Sequence, residues 1–350
     1  MTGAVVEMHR TPGPDVIEFL ENSEHATIFH SAAWAKVLSH SYGHETLFFV
    51  ARAAANVRGV FVVVRQRLWP LGEKWVALPY QFHGGPPIAD SAEIAEALIR
   101  AAVGAARDAR ARYLEVRTSR FSDVMQAAGM VRVDSGLQAT ILDLRTHERG
   151  MIRKSTRKEI RYASEGGVVV EHVAPDEGMN LFLTPYLRDM RDLGTPQAGR
   201  SFFGALVREL PDKLHMAVAR RHGEVVGSIM VLGDQRVAFA RGYAGTMTRV
   251  AREHFVGKAL VYAAIEAAKA RGVATLSLGL TWVGDVGLNA WKSAWGGTTQ
   301  PIDSFVATFN GKAPRPGDYF GGYQLARRLW SKTPLVVAGP IGHRITRWIG

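Results

Sequence analysis

The sequence predicts an α/β protein built as two successive units of mixed β-sheet, and three observations carry that prediction. Short apolar runs recur at hairpin spacing, over residues 47–52 and 58–66 and again over 214–221, 225–232 and 237–244. Each set is followed by a long alanine-rich helical pattern and then by one further strand. This order of strands, helix and strand occurs twice within 350 residues, a length that suits two domains of ordinary size.

Taken in order, residues 14–22 read as a first helix after a Pro/Gly break. Ser31 is the expected N-cap of a helix over 32–39, with Trp34 and Leu38 on one face and Lys36 off that apolar pair. Residues 47–52, 58–66 and 75–78 read as strands of a meander. A stiff Pro/Gly loop then holds Tyr80, Phe82 and His83 beside Gly84 and Gly85, where the rings are placed to stack a base or a sugar. A helix over 92–111 and a strand over 113–117 complete the first set, 125–129 closes the half, and 138–144 is a connecting strand. Residues 149–164 read as one basic helix. Arg153, Arg157 and Arg161 fall at i, i+4 and i+8 on one face, and Lys154 and Lys158 widen it. Such a row spans successive phosphates of an RNA backbone, although a plain solvated face has the same pattern.

The second half reads as a helix over 175–193, carrying Arg188 and Arg191 and stopped by Gly194-Thr195-Pro196. A helix over 201–210, three hairpin-spaced strands, a helix over 255–271 and a strand over 274–278 follow. From Gly279 a glycine-rich loop is expected, carrying Trp282, Gly284, Asp285 and Gly287 and closing on Trp291-Lys292-Ser293-Ala294-Trp295. A strand that ends in such a loop is where open α/β sheets bind ligands. In a helical turn Lys292 would share its side with Trp295 while Trp291 turned away. An amine in that apolar wall has a shifted pKa or is aimed at an anion. A packing turn is the competing reading of the same stretch. Asp285 and His254 are the candidate proton acceptors, and no GxSxG or Ser/His/Asp context is present.

Composition narrows the partners. Lys plus Arg number 43 against 32 Asp plus Glu, a net charge of +11 that suits a polyanionic partner such as RNA, a nucleotide-linked substrate or an anionic membrane surface. The absence of cysteine excludes disulfides, thiolate catalysis and cysteine zinc sites. The histidines are scattered and no metal site is expected. No apolar run reaches about 18 residues, so a cytoplasmic location is expected.

A meander, a helix that starts at a glycine and a following strand resemble the ground plan of the GNAT acyltransferase fold. Two such units joined by a basic helical segment resemble the FemAB/FemX-like aminoacyltransferases, in the branch found beside exopolysaccharide genes. The residues that carry the likeness run through nearly the whole chain. They include Phe29-His30-Ser31 with Trp34, Tyr42-Gly43-His44, Leu78-Pro79-Tyr80 with His83-Gly84-Gly85-Pro86, Leu114-Glu115-Val116-Arg117, Leu193-Gly194-Thr195-Pro196, Trp291-Lys292 and the tail from Trp330. The resemblance implies GNAT-like domains over 1–145 and 165–310, a connector over 146–164 and an amphipathic tail over 311–350. It also implies transfer of an amino acid from aminoacyl-tRNA to an amine of a cell-wall precursor, peptide or other small or nucleotide-linked acceptor, with no further cofactor. Lys292 would stand near the acyl-transfer centre, with Lys36 and Arg191 as acceptor-phosphate contacts and Trp282, Trp291 and Trp295 lining the substrate. The chain departs from that branch in reading Ser277-Leu278-Gly279-Leu280-Thr281 where Asp-Phe-Gly-Arg-Ser is usual.

An acyl-CoA-dependent N-acyltransferase is the alternative. The run from His254 to Ala259 is spaced like a GNAT pyrophosphate loop at a helix start, with His at its first position and Ala at its last. A third reading is a non-catalytic RNA- or membrane-binding protein that uses the basic helix and the tail over 323–349. A monomer is expected.

Overall fold

The structure is a computed structural model that describes residues 4–68, 70, 72–80, 85–246, 248–310 and 324–349. In chain order the elements are β1 (Val5–His9), α1 (Pro14–Asn22), α2 (Ala32–Tyr42), β2 (Glu45–Ala53), β3 (Asn56–Leu68), β4 (Gly72–Ala77), β5 (Ile88–Ala89), α3 (Ala92–Asp108), β6 (Tyr113–Thr118), α4 (Ser122–Ala127) and β7 (Val131–Asp143). They continue with α5 (Lys154–Glu165), β8 (Val168–Val173), α6 (Pro175–Asp192), α7 (Arg200–Glu209), β9 (Leu214–Arg221), β10 (Glu224–Gly233), β11 (Val237–Ala244), α8 (Arg249–Glu253) and α9 (Val256–Ala270). The last elements are β12 (Thr275–Trp282), α10 (Val286–Ser293), β13 (Thr298–Thr308), α11 (Gln324–Ser331) and α12 (Leu335–Ile349).

The chain divides into one unit of residues 1–137, 301–322 and 347–350 and another of 138–300 and 323–346. The first unit orders its strands β1-β2-β3-β4-β6-β13, antiparallel except for the β4/β6 pair. Ser91 caps α3, and the apolar stripe of that helix, from Ile94 through Leu98 and Ala102 to Ala106, covers Leu47, Phe49, Phe61, Trp75 and Leu114. A 3.6-residue period laid on a two-residue period explains why these positions and not their neighbours are core.

The second unit orders β12-β11-β10-β9-β8, with β11 and β12 parallel. Helix α9 buries Leu260, Val261, Ala264, Ile265 and Ala268 in a core with Ala217, Ile229, Ala238, Leu276 and Leu278. Both units therefore have strands, a helix and a parallel closing strand, the tandem arrangement expected.

Several boundaries differ from expectation. The units are not contiguous in sequence: residues 301–308 return to pair with β6, from Asp303↔Thr118 to Thr308↔Tyr113. The expected connector over 146–164 lies inside the second unit. The basic helix is interrupted, with a 3-10 turn at Arg149–Met151 before α5 begins at Lys154. Strand β12 runs through Gly279 to Trp282, because Gly279 adopts a φ of +81° that lets the strand turn without ending. The residues after it form α10 rather than a loop. Strands β1, β8 and β13 were not foreseen; β1 and β8 lack the strict alternation that marks a half-buried strand, and β13 begins with four exposed residues that include Pro301.

Candidate active site

The parallel pair in the second unit is registered from Val237↔Thr275 to Phe239↔Ser277, after which β11 runs on to Ala244 and β12 to Trp282. Just past that register Gly279 and Leu280 turn their carbonyls to Lys292 of α10, whose Nζ donates to them at 2.9 and 3.0 Å. Lys292 is 5% exposed. Burial lowers its pKa to about 8, and the charge of Asp285 opposes that shift. An ammonium has three donors. Two are used here, and among the described residues the third has no acceptor.

The tryptophans shelter a different lysine. Lys258, in the first turn of α9, holds its Nζ 5.4 Å from the Trp291 ring centroid, 5.5 Å from that of Trp295 and 3.5 Å from Glu159 Oε2 of α5. Burial lowers its pKa, while Glu159 raises it. Trp291 does not turn away from Trp295: the rings meet edge to face, 6.0 Å apart. At i and i+4 they share a helix face, and α10 places Lys292 on another. Trp295 is 0% exposed and belongs to the core, so it makes a wall and not a ligand contact; Trp291 packs half-buried against that core. Trp282 is half-buried at the end of β12, its carbonyl accepting from Asn289 Nδ2 at 3.0 Å.

The two proton-acceptor candidates have local duties. The Asp285 carboxylate is exposed and caps α10 by accepting from Leu288 N–H at 3.0 Å. His254 ends α8, its N–H donating to Val250 O at 3.1 Å, and precedes Phe255, whose φ is +52°. Helix α8, capped by Thr248, lies in the connection from β11 to α9, and the run from His254 to Ala259 follows it as the N-cap and first turn of α9.

The buried face of α5 is Thr156, Ile160 and Ala163. Lys154, Lys158 and Arg161 lie on its exposed face, with Arg157 half-buried at the edge. Arg153 is not in the helix; it stands at the N-cap with its N–H donating to Ala294 O at 2.9 Å. Arg161 pairs with Glu165 at 3.4 Å, and both Lys158 and Arg161 lie over the Tyr162 ring. Arg191 pairs with Asp192 and donates to Thr333 O at 3.5 Å.

In the first unit, Lys36 is exposed on α2. Tyr80 is not free to stack a ligand. Its ring stacks on Tyr42 at 5.0 Å and its hydroxyl donates to Arg347 O at 2.9 Å. The same hydroxyl accepts from Gln66 Nε2 at 3.2 Å and lies 2.9 Å from His44 Nε2. His44 Nε2 is also 3.1 Å from Arg347 O. A carbonyl only accepts, so this contact requires the Nε2–H tautomer. Burial lowers the His44 pKa to about 3, keeping the ring neutral. Nearby in sequence and fold, buried Lys74 lies under the Trp348 ring at 4.9 Å with a pKa lowered to about 8 by burial. Glu115 accepts from Arg117 at 2.9 Å and Ser304 at 2.8 Å. Phe82 and His83 lie outside the described residues. Gln66, Lys74 and Glu159 were not singled out from sequence, where each is one polar residue in an apolar strand or one charge in a charged helix; His44 and Glu115 entered only through the resemblance, and Lys258 only within the run from His254 to Ala259.

Residues 150–293 match the family model described as Acetyltransferase (GNAT) domain. No curated protein matches the sequence significantly. Among solved structures, FemX is similar with a TM-score of 0.71 at 13% identity, covering 92% of this chain and 100% of its own. L-PGS from Bacillus licheniformis gives 0.54 at 14% identity, over 93% and 100%. A conserved protein of unknown function from Bacteroides thetaiotaomicron gives 0.57 at 13% identity, over 87% and 99%. The chain has the tandem GNAT fold that its resemblance to the FemAB/FemX-like proteins implied, and the domain matched is that of an acyltransferase.

Proposed function

We propose that the protein is an aminoacyltransferase that moves an aminoacyl group from aminoacyl-tRNA to the amine of a small or nucleotide-linked acceptor. The observation that carries this reading is the buried Lys292 ammonium, held by two carbonyls where β11 and β12 leave their register, with one N–H that has no acceptor among the described residues. In aminolysis the acceptor nitrogen bonds to the ester carbonyl carbon, the carbon–oxygen bond to the ribose breaks, and the amine proton passes to the departing hydroxyl. Such a reaction needs juxtaposition and stabilisation of a developing oxyanion more than covalent help. The free N–H of Lys292 supplies that stabilisation, and burial strengthens it by excluding water. The exposed face of α5 supplies cations for the tRNA backbone.

The donor is read as tRNA and not CoA because the run at the start of α9 has His254 and Ala259 where a GNAT pyrophosphate loop has its leading side chain and closing glycine. The test is to incubate purified protein with charged total tRNA and, separately, with acyl-CoAs, together with amine acceptors. Deacylation of the tRNA with formation of an amide is expected. Acyl transfer from CoA, with charged tRNA untouched, would overturn the reading.

A further inference from the structure

The C-terminal helix pair carries a surface that neither the fold nor the transfer reaction requires. In α12 Ala338 is fully buried, and a side chain at Gly342 would meet Gln197 O at 3.1 Å and the Trp330 ring at 3.2 Å. These two positions, four residues apart, define the inward face. Val337, Ile341 and Arg344, at i, i+4 and i+7, share a solvent-facing flank, with Val337 and Ile341 42% and 43% exposed, and Val336, 83% exposed, lies across the outward side from Ile341. In α11, Leu329 is 63% exposed between Arg328 and Lys332, both exposed. Residues 324–349 contain no Asp or Glu.

We infer that this face is a docking surface for an anionic lipid bilayer, with the aliphatic side chains entering the headgroup boundary and the cations on the lipid phosphates. Three considerations select that occupant. A second copy would bring the same cations, without one compensating carboxylate, against themselves in a two-fold contact. RNA would satisfy the cations but leave large aliphatic side chains against a charged backbone, whereas RNA contacts use cations and stacking rings. An interfacial helix combines an aliphatic face with a basic rim and needs no spanning length. Among the described residues no helix is long and apolar enough to cross a membrane, so the protein lies on the surface. The inference is independent of the transferase reading, since it concerns another face and is tested without substrate.

The experiment is sedimentation of the full chain with vesicles of phosphatidylcholine alone and of phosphatidylcholine with phosphatidylglycerol. Binding to the anionic vesicles and not the neutral ones is expected, weakened by salt. Val336→Glu/Ile341→Glu should lower the partition coefficient at least about tenfold, because two aliphatic contacts are lost and two repulsive charges added. Arg328→Glu/Lys332→Glu should abolish the preference for anionic lipid. All four positions are exposed, so thermal melts of both variants should match the wild type. No binding to anionic vesicles, equal binding by both variants, or a dimer in solution that Val336→Glu/Ile341→Glu dissolves would overturn the inference.

Discussion

The Nζ of Lys258 lies 5.4 Å from the centroid of the Trp291 ring, which makes Lys258, and not Lys292, the cation held by Trp291 of α10 and Trp295 just beyond it. A cation over an indole gains about 0.5–2 kcal/mol as it is desolvated, and the Glu159 carboxylate 3.5 Å away compensates its charge. The contact ties α5, α9 and α10 together around Trp295. Among the described residues Lys292 has carbonyl partners alone and no carboxylate in its hydrogen-bonding shell. The two lysines are thereby distinguished by their neighbours, Lys258 by two indoles and a carboxylate and Lys292 by two carbonyls.

Lys292→Met tests the reactive role. The substitution keeps the apolar stem but leaves the carbonyls of Gly279 and Leu280 without their donor. Stability should fall by about 1–3 kcal/mol, the cost of a buried polar group left unpaired. Transfer should fall by about 10²–10³ under conditions where the variant is folded, as for removal of one preorganised donor. Denaturant titration and single-turnover transfer measure the two effects, and a folded variant with wild-type turnover would reduce Lys292 to a packing residue.

The pH response has a defined sign. Burial holds the folded-state pKa of Lys292 at about 8, against about 10.4 for an unfolded lysine. Between those values the unfolded chain binds a proton that the folded chain has released, so stability rises with pH across that window and is flat below it for this group. Transfer moves the opposite way, falling as pH passes about 8 because the ammonium loses its charge. The wild-type rate should show that limb, and in Lys292→Met both the limb and this residue's share of the stability gain should be missing. Lys74, with the same lowered pKa, contributes a stability gain that Lys292→Met retains.

Much of the scaffold was legible in sequence because its core obeys simple periods. The meander strands, α3, α9 and the N-cap at Ser31 are local patterns, and Ser31 accepts from Trp34 N–H at 3.1 Å as its position predicts. The site was legible in part. Lys292 lies against the end of β12, Trp295 is core and Asp285 a helix cap, and a tryptophan or a carboxylate reads alike in either role. The return of β13 to β6, and the meeting of Glu159 with Lys258 across 99 residues of chain, depend on tertiary pairing that no local period records.

Tyr80→Phe tests the buried network of the first unit. Removing the hydroxyl deprives Gln66 Nε2 of an acceptor and Arg347 O of a donor while leaving the Tyr42 stacking intact. A loss of about 1–3 kcal/mol is expected, read as a lowered denaturation midpoint. A neutral substitution would show that water replaces the hydroxyl and that the network is open to solvent.

The basic face of α5 gives the last prediction. Lys158 and Arg161 are exposed and Arg157 lies at the edge of the face, so replacing the three with Gln leaves the buried positions Thr156, Ile160 and Ala163 untouched. Arg161 loses an exposed pair with Glu165, worth roughly 0–1 kcal/mol, so the melting temperature should move little. If the row contacts the tRNA backbone, binding should weaken for all charged tRNAs alike, because phosphate contacts carry no sequence information. The slope of log K against log salt should fall by roughly one unit per lost contact, three at most. Lys258→Met, which removes a cation of the same second unit that faces Trp291 and Glu159 instead of solvent, serves as the control and should leave the slope unchanged. Filter binding across a salt series separates these outcomes, and an unaltered slope in the triple variant would mean that the row is a solvated helix face.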